Sequence, residues 1–166
     1  RTNISDEEMT FENAWGVCDE DIYNKVIKEA DKDYKQNLPF FNFVMTTSNH
    51  RPYTYPDNKI DIPSGSSRQG AVKYTDFAIQ EFIKKAKTKP WFKNTVFVIM
   101  ADHCASSAGK KVLDVAKYHI PAFIYNLDSL PQKEINKVCS QIDQFKAKQQ
   151  AFEYRRTKKG KLLRLE

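Results

Sequence analysis

No apolar run in this sequence is long enough to cross a membrane: the longest, Val96 to Ala101, falls far short of the roughly 20 residues a spanning helix needs. There is no signal peptide, and the chain opens on Arg1 rather than Met, so it reads as a piece of a longer polypeptide with any export signal or anchor outside it. Cysteine is scarce. Cys18, Cys104 and Cys139 are too few and too scattered for a zinc ribbon or a disulfide framework, and although one pair could bridge in an oxidising compartment, their spacing does not choose it. Internal repeats and low-complexity tracts are absent. So is a broad basic face: the net charge is +6, yet eight Lys or Arg and only two Glu lie between Gln144 and Glu166, leaving nineteen charges of each sign elsewhere. A neutral body with a basic tail argues against a nucleic-acid surface. Such a tail could touch phosphates or anionic head groups, but a solvated terminal hairpin is the commoner reason for one.

What is present is one domain's worth of core, with 166 residues of which 40% are hydrophobic. The stretch that organises it is Asn94–Lys110. Val96 to Ala101 has no helical spacing and is rich in β-branched residues, so it is expected as a strand buried on both faces, the kind found in parallel sheets. It ends in Asp102 and His103, where open α/β sheets bind ligands, and a carboxylate beside an imidazole suits a divalent ion such as manganese or zinc. The plain alternative is that Asp102 caps the next turn of chain and His103 is a satisfied loop histidine.

Upstream, Ser5-Asp6-Glu7-Glu8 fits a capping box. Gly16 reads as a turn and Asp19 as the N-cap of a helix from about Glu20 to Gln36, with Ile22, Val26, Ile27, Ala30 and Tyr34 on its buried side. Phe40-Phe-Asn-Phe-Val-Met-Thr is a second strand candidate, leading into the loop that carries His50. In a parallel sheet this loop would open on the same edge as Asp102. The Pro- and Ser-rich segment 54–67 is a surface excursion. Arg68 to Lys87 is a strong amphipathic helix with Val72, Thr75, Ile79, Phe82, Ile83 and Ala86 in one stripe. The order strand, helix, strand implies a parallel crossover pair. Ile120 to Tyr125 reads as a further strand, preceded by His119 at the edge away from the site. Lys133–Gln141 reads as a short helix, and Gln150–Arg156 with Lys161–Leu165 as a terminal β-hairpin turning at Gly160.

Five segments, taken together, carry a resemblance: Asn-Ala-Trp-Gly-Val-Cys-Asp-Glu-Asp-Ile-Tyr from Asn13, Thr-Thr-Ser-Asn-His-Arg-Pro-Tyr from Thr46, Val-Lys-Tyr-Thr-Asp-Phe-Ala-Ile from Val72, Asn-Thr-Val-Phe-Val-Ile-Met-Ala-Asp-His from Asn94, and Lys-Tyr-His-Ile-Pro-Ala-Phe-Ile-Tyr from Lys117. In this order and spacing, over Phe11 to Asp143, they resemble the lipoteichoic acid synthase branch of the sulfatase and alkaline phosphatase superfamily. The resemblance implies an α/β/α sandwich with a mostly parallel sheet. It also implies metal-dependent transfer or hydrolysis of phosphate or sulfate esters through a covalent intermediate on a threonine, or on a modified cysteine or serine. By motif position Asp102 and His103 resemble two metal ligands and His50 the histidine at the substrate's phosphate or head group. Mn²⁺ is the expected ion, with Mg²⁺, Zn²⁺ or Ca²⁺ as alternatives. The expected substrate is a phospholipid or glycan of the cell envelope, handled outside the cytoplasmic membrane by a domain tethered through helices absent here.

The chain also departs from the family pattern. The family's nucleophile and a further acidic ligand lie upstream of the Trp-Gly segment, before Arg1, so no catalytic nucleophile is expected in this chain. It is expected to be the carboxyl-terminal part of a catalytic domain (residues 1–143), inactive alone, followed by a basic hairpin (144–166); after Asp143 the family's apolar Pro-Thr-Leu-Leu is replaced by Gln144-Phe-Lys-Ala-Lys-Gln. The rival readings are a hydrolase or true sulfatase of the same superfamily, a Cys-His hydrolase using Cys104 with His50 or His103, and a non-catalytic basic-tailed binding module. Trp15 and Tyr53 could line a head-group pocket or simply pack.

Overall fold

Ser67 sets the start of the longer helix, α2 (Arg68–Lys87): in extended conformation it accepts the Gly70 N–H on its hydroxyl at 3.1 Å. Such a cap contributes about 1 kcal/mol. Lys84, Lys85 and Lys87 close the helix, where its dipole favours cations. The computed structural model describes residues 3–104, residues 119–126 and Glu134. All but Glu134 belong to one compact unit, Arg1–Asn126. The expected helix at Lys133–Gln141, the terminal hairpin and the boundary at 143–144 lie outside the described residues.

The shorter helix, α1 (Asp19–Lys35), begins one residue early, with Cys18 rather than Asp19 at the cap and no side-chain capping bond. Asp19 is not free to cap because its carboxylate is bonded to the distant backbone of Thr47 and Ser48. The two helices run side by side in the same direction. Near their starts the Tyr74 hydroxyl donates to Glu20 at 3.1 Å; midway Tyr23 stacks on Phe82; at their ends Ala86 packs with Ile27 and Ala30. The buried face of α2 is therefore Ala71, Tyr74, Ala78 and Ala86, rotated from the expected stripe, and Val72 is 48% exposed. Small residues win because α1 lies close against that side. One core cluster joins Cys18, Tyr55, Ala71 and Tyr74, and a second joins Ile27, Ala30, Ala86 and Trp91.

Four short strands are paired among the described residues, all antiparallel: β1 (Glu12–Asn13) with β2 (Gly16–Val17), and β3 (Phe97–Met100) with β4 (Ala122–Tyr125). The α/β character is as expected. Other expectations are corrected. Segment 40–46 forms no strand; aromatic residues favour strands only where a partner strand lies alongside. The parallel crossover pair with β3 is accordingly not formed among the described residues. β3 is half-buried along its length rather than buried on both faces, having one paired neighbour there, and β4 is exposed throughout.

Candidate active site

Two pairs of side chains stand out, each placed by a different part of the fold. The first follows β3. Asp102 curls over its neighbour: one carboxylate oxygen accepts the His103 backbone N–H at 2.9 Å, and the other lies 3.5 Å from His103 Nε2. The His103 Nδ1 lies 2.8 Å from the Cys104 carbonyl, which can only accept, so this contact calls for a proton on Nδ1. Both side chains are exposed, at 71% and 58%. Two donors about 2.0–2.2 Å from one ion at a tetrahedral angle would lie about 3.4 Å apart. The carboxylate oxygen and Nε2 therefore fit as two ligands of one divalent ion, and the Cys104 carbonyl supplies the outer hydrogen bond that orients a ligating histidine. No cluster of three or more His, Cys, Asp or Glu that could hold a metal occurs among the described residues.

The antiparallel register, with Met100 opposite Ala122, brings the start of β4 to the end of β3. His119 thus lies at the same edge as Asp102, not the opposite one, and its carbonyl accepts a bond from the Cys104 thiol at 3.1 Å. That thiol is directed to a carbonyl and not to an imidazole, which removes the geometric basis for a Cys-His hydrolase. Cys18 and Cys104 are free thiols, and burial pushes that of Cys18 up.

The second pair joins His50 to Trp15. Strands β1 and β2 form a hairpin whose two-residue tip is Ala14-Trp15, with Gly16 after it at φ 128°, a value that side chains rarely permit. Asn13 fixes this tip: its Oδ1 accepts the Trp15 N–H at 2.8 Å while its amide donates to the Thr54 carbonyl and hydroxyl. The indole is 54% exposed, yet its N–H is held by the Arg51 carbonyl at 2.5 Å and its face stacks on the His50 ring, centroids 4.2 Å apart. The His50 Nδ1–H donates to the Thr47 carbonyl at 3.1 Å, so Nε2 is the ring nitrogen that this bond leaves unengaged. Beyond it the Arg51–Pro52 peptide is cis, and Tyr53 sits at φ 65°, held by its N–H to the His50 carbonyl and by the Gly65 N–H to its own. Tyr53 packs against the first core cluster, the plainer of its two expected roles.

The fold thus brings Asp102 to His103, and His50 to Trp15. No hydrogen bond, ion pair or ring contact joins His50 to His103 among the described residues. The sequence reading missed Asp19 and Thr47 as organisers of the His50 loop; an acid at the first turn of a helix looked like an ordinary cap.

Several known proteins are similar to this chain. Phosphoglycerol transferase I of Citrobacter koseri is 30% identical over 102 residues, 58% of this chain and 13% of that protein, and the Escherichia fergusonii protein of the same name matches equally well. The chain thus spans about an eighth of the length of these curated relatives. Among solved structures, a protein in the alkaline phosphatase superfamily from Vibrio parahaemolyticus superposes with a TM-score of 0.65 at 42% identity, covering 70% of this chain and 29% of that one. The lipoteichoic acid synthase LtaP from Listeria monocytogenes superposes with a TM-score of 0.57 at 28% identity, covering 75% and 35%. The Sulfatase family model matches residues 1–152, and the chain belongs to the sulfatase family.

Proposed function

We propose that this chain is part of a phosphoester transferase that moves a phosphoglycerol-type group from an envelope phospholipid onto a lipid or glycan acceptor. The observation that carries the reading is the Asp102 and His103 pair, two exposed metal-compatible donors 3.5 Å apart at the end of β3, in a chain of the sulfatase family. Asp102 and His103 would hold a divalent ion, Mn²⁺ first among the candidates. When bound, such an ion lowers a nucleophile's pKa and neutralises charge on the group in flight. His50 and Trp15 would bind that group: His50 offers its ring Nε2 edge to a phosphate oxygen, while the indole offers a flat apolar wall to the glycerol carbons. In this reading the nucleophile and the remaining ligands would come from other parts of the same polypeptide, which would also complete the parallel α/β/α sandwich. An extracytoplasmic location belongs to this reading too. No helix among the described residues is long and apolar enough to cross a membrane.

The test compares the intact protein, its Asp102→Ala variant and residues 1–166 alone, on phosphatidylglycerol in mixed micelles with and without Mn²⁺. Mn²⁺-dependent release of diacylglycerol by the intact protein only is the expected result. Turnover that ignores both the metal and Asp102→Ala would sink the reading.

A further inference from the structure

We infer that Asp19 is a positioning residue for substrate binding, the latch that fixes the His50 loop against the Trp15 hairpin; the inference rests on the reading of His50 and Trp15 as the group-binding pair. Asp19 is fully buried at the first turn of α1, directly after the hairpin. One of its carboxylate oxygens accepts the backbone N–H groups of Thr47 and Ser48, each at 3.0 Å, and the other accepts the Thr75 hydroxyl at 3.4 Å. The bond is returned: the Asp19 backbone N–H donates to Ser48 Oγ at 3.2 Å, and Ser48 is 1% exposed. Thr47 makes a further link, its hydroxyl donating to the Val17 carbonyl of β2 at 2.7 Å. The Thr47 carbonyl in turn receives His50 Nδ1–H.

These contacts close a ring. From Trp15 the chain passes through β2 to Asp19; Asp19 grips Thr47 and Ser48; Thr47 sets the rotation of the His50 ring; and that ring lies on Trp15. A carboxylate taking two adjacent backbone N–H groups fixes a loop more tightly than a side-chain pair could, because neither donor has a rotamer of its own to lose. A group that holds binding residues without touching the reacting atoms should act on substrate affinity and spare the chemical step.

The experiment uses the intact protein with phosphatidylglycerol in mixed micelles and compares His50→Ala, Asp19→Ala, Asp19→Asn and Ser48→Ala. The readouts are kcat and KM, with Mn²⁺ affinity by calorimetry and the ring-current shift of the His50 imidazole protons by NMR. Asp19→Ala is expected to raise KM about tenfold with kcat within about threefold, to abolish the upfield shift that Trp15 imposes on His50, and to leave Mn²⁺ affinity unchanged. Asp19→Asn, which keeps an oxygen for the two N–H groups, should restore most of the KM and the shift. If Asp19→Ala does not fold, Ser48→Ala gives the same pattern at smaller size. Unchanged KM and ring-current shift in the folded Asp19 and Ser48 variants, with KM raised in His50→Ala, overturn the latch alone. An unchanged KM in His50→Ala overturns the binding assignment and the latch with it.

Discussion

The indole of Trp15 lies almost parallel to the imidazole of His50, at an interplanar angle of 23°, although one sits on a hairpin tip and the other in a loop after α1. The hairpin brings an exposed aromatic to a ring whose Nδ1 is already engaged, so the stack and that bond together fix the orientation of the His50 ring. Stacking of this kind is worth about 0.5–1.5 kcal/mol. Trp15→Ala should therefore raise KM for phosphatidylglycerol about two- to tenfold and Trp15→Phe by less, with kcat held within about twofold. Steady-state kinetics on the intact protein checks this; equal kcat losses in both variants would place Trp15 nearer the chemistry than a binding wall.

Asp102 and His103 make a separate, binding-only prediction. If they hold the ion as proposed, Asp102→Ala and His103→Ala should each weaken Mn²⁺ binding by at least about a hundredfold, because each would remove a direct donor and not an outer-shell partner. Calorimetry on the intact protein measures this. A nucleic-acid or membrane module driven by the basic tail would behave differently: its affinity would fall steeply with salt and be indifferent to both substitutions.

Local signals made the helices legible. α2 was readable to both ends because a serine stands where a cap is needed and lysines crowd its last turn. α1 was displaced by one residue because Asp19, shaped like a cap, is spent on Thr47 and Ser48. Segment 40–46 kept the alternation of a strand, with Phe41, Phe43 and Met45 exposed at 67%, 72% and 67%, without becoming one. Period two describes an extended backbone; pairing needs a neighbour, which the local pattern cannot supply. Asp102 and His103 are adjacent in sequence, so their closeness was legible there. The Trp15 and His50 stack joins positions far apart in the chain, and no spacing rule encodes such a contact. His119 was misplaced because the parallel assumption reversed the direction of β4.

Gly70 tests the first core cluster. A Cβ built there would lie 2.3 Å from the Tyr55 hydroxyl and 2.9 Å from the Ile62 side chain. Tyr55 cannot readily yield: it is 1% exposed, stacks on Tyr74 at 4.9 Å, and its hydroxyl donates to the Ile62 and Pro63 carbonyls. Gly70→Ala should destabilise by about 1–3 kcal/mol despite alanine's better helix propensity, whereas Tyr55→Phe with it should recover part of the loss. Chemical denaturation of the single and double variants checks this, and an unchanged midpoint for Gly70→Ala would show that Tyr55 moves aside.

Acid should weaken the fastenings of α1. Hydrogen bonds from Lys28 and Lys25, with the Ser5 backbone N–H, hold the Glu8 carboxyl well down, from an ordinary 4.5 to about 2. Burial pushes the Asp31 carboxyl up, but bonds from Lys89 at 2.6 Å and from the Trp91 indole at 2.7 Å outweigh it, and the net direction is down. A carboxyl whose folded value is depressed binds fewer protons folded than unfolded, so its stabilisation is complete above the unfolded value and fades as pH falls toward the folded one. Glu8→Gln should lower the melting temperature at pH 7, with the difference shrinking below about pH 4.5 and nearly gone by about pH 2. Asp31→Ala should cost more than Asp31→Asn, because alanine leaves the buried Trp91 N–H without an acceptor, a penalty of about 1–3 kcal/mol, while asparagine's carbonyl can still receive it. Thermal melts of the three variants across pH measure both effects. A Glu8→Gln difference that persists undiminished at pH 2 would show that the lysine clamp is not what ties the amino-terminal turn to α1.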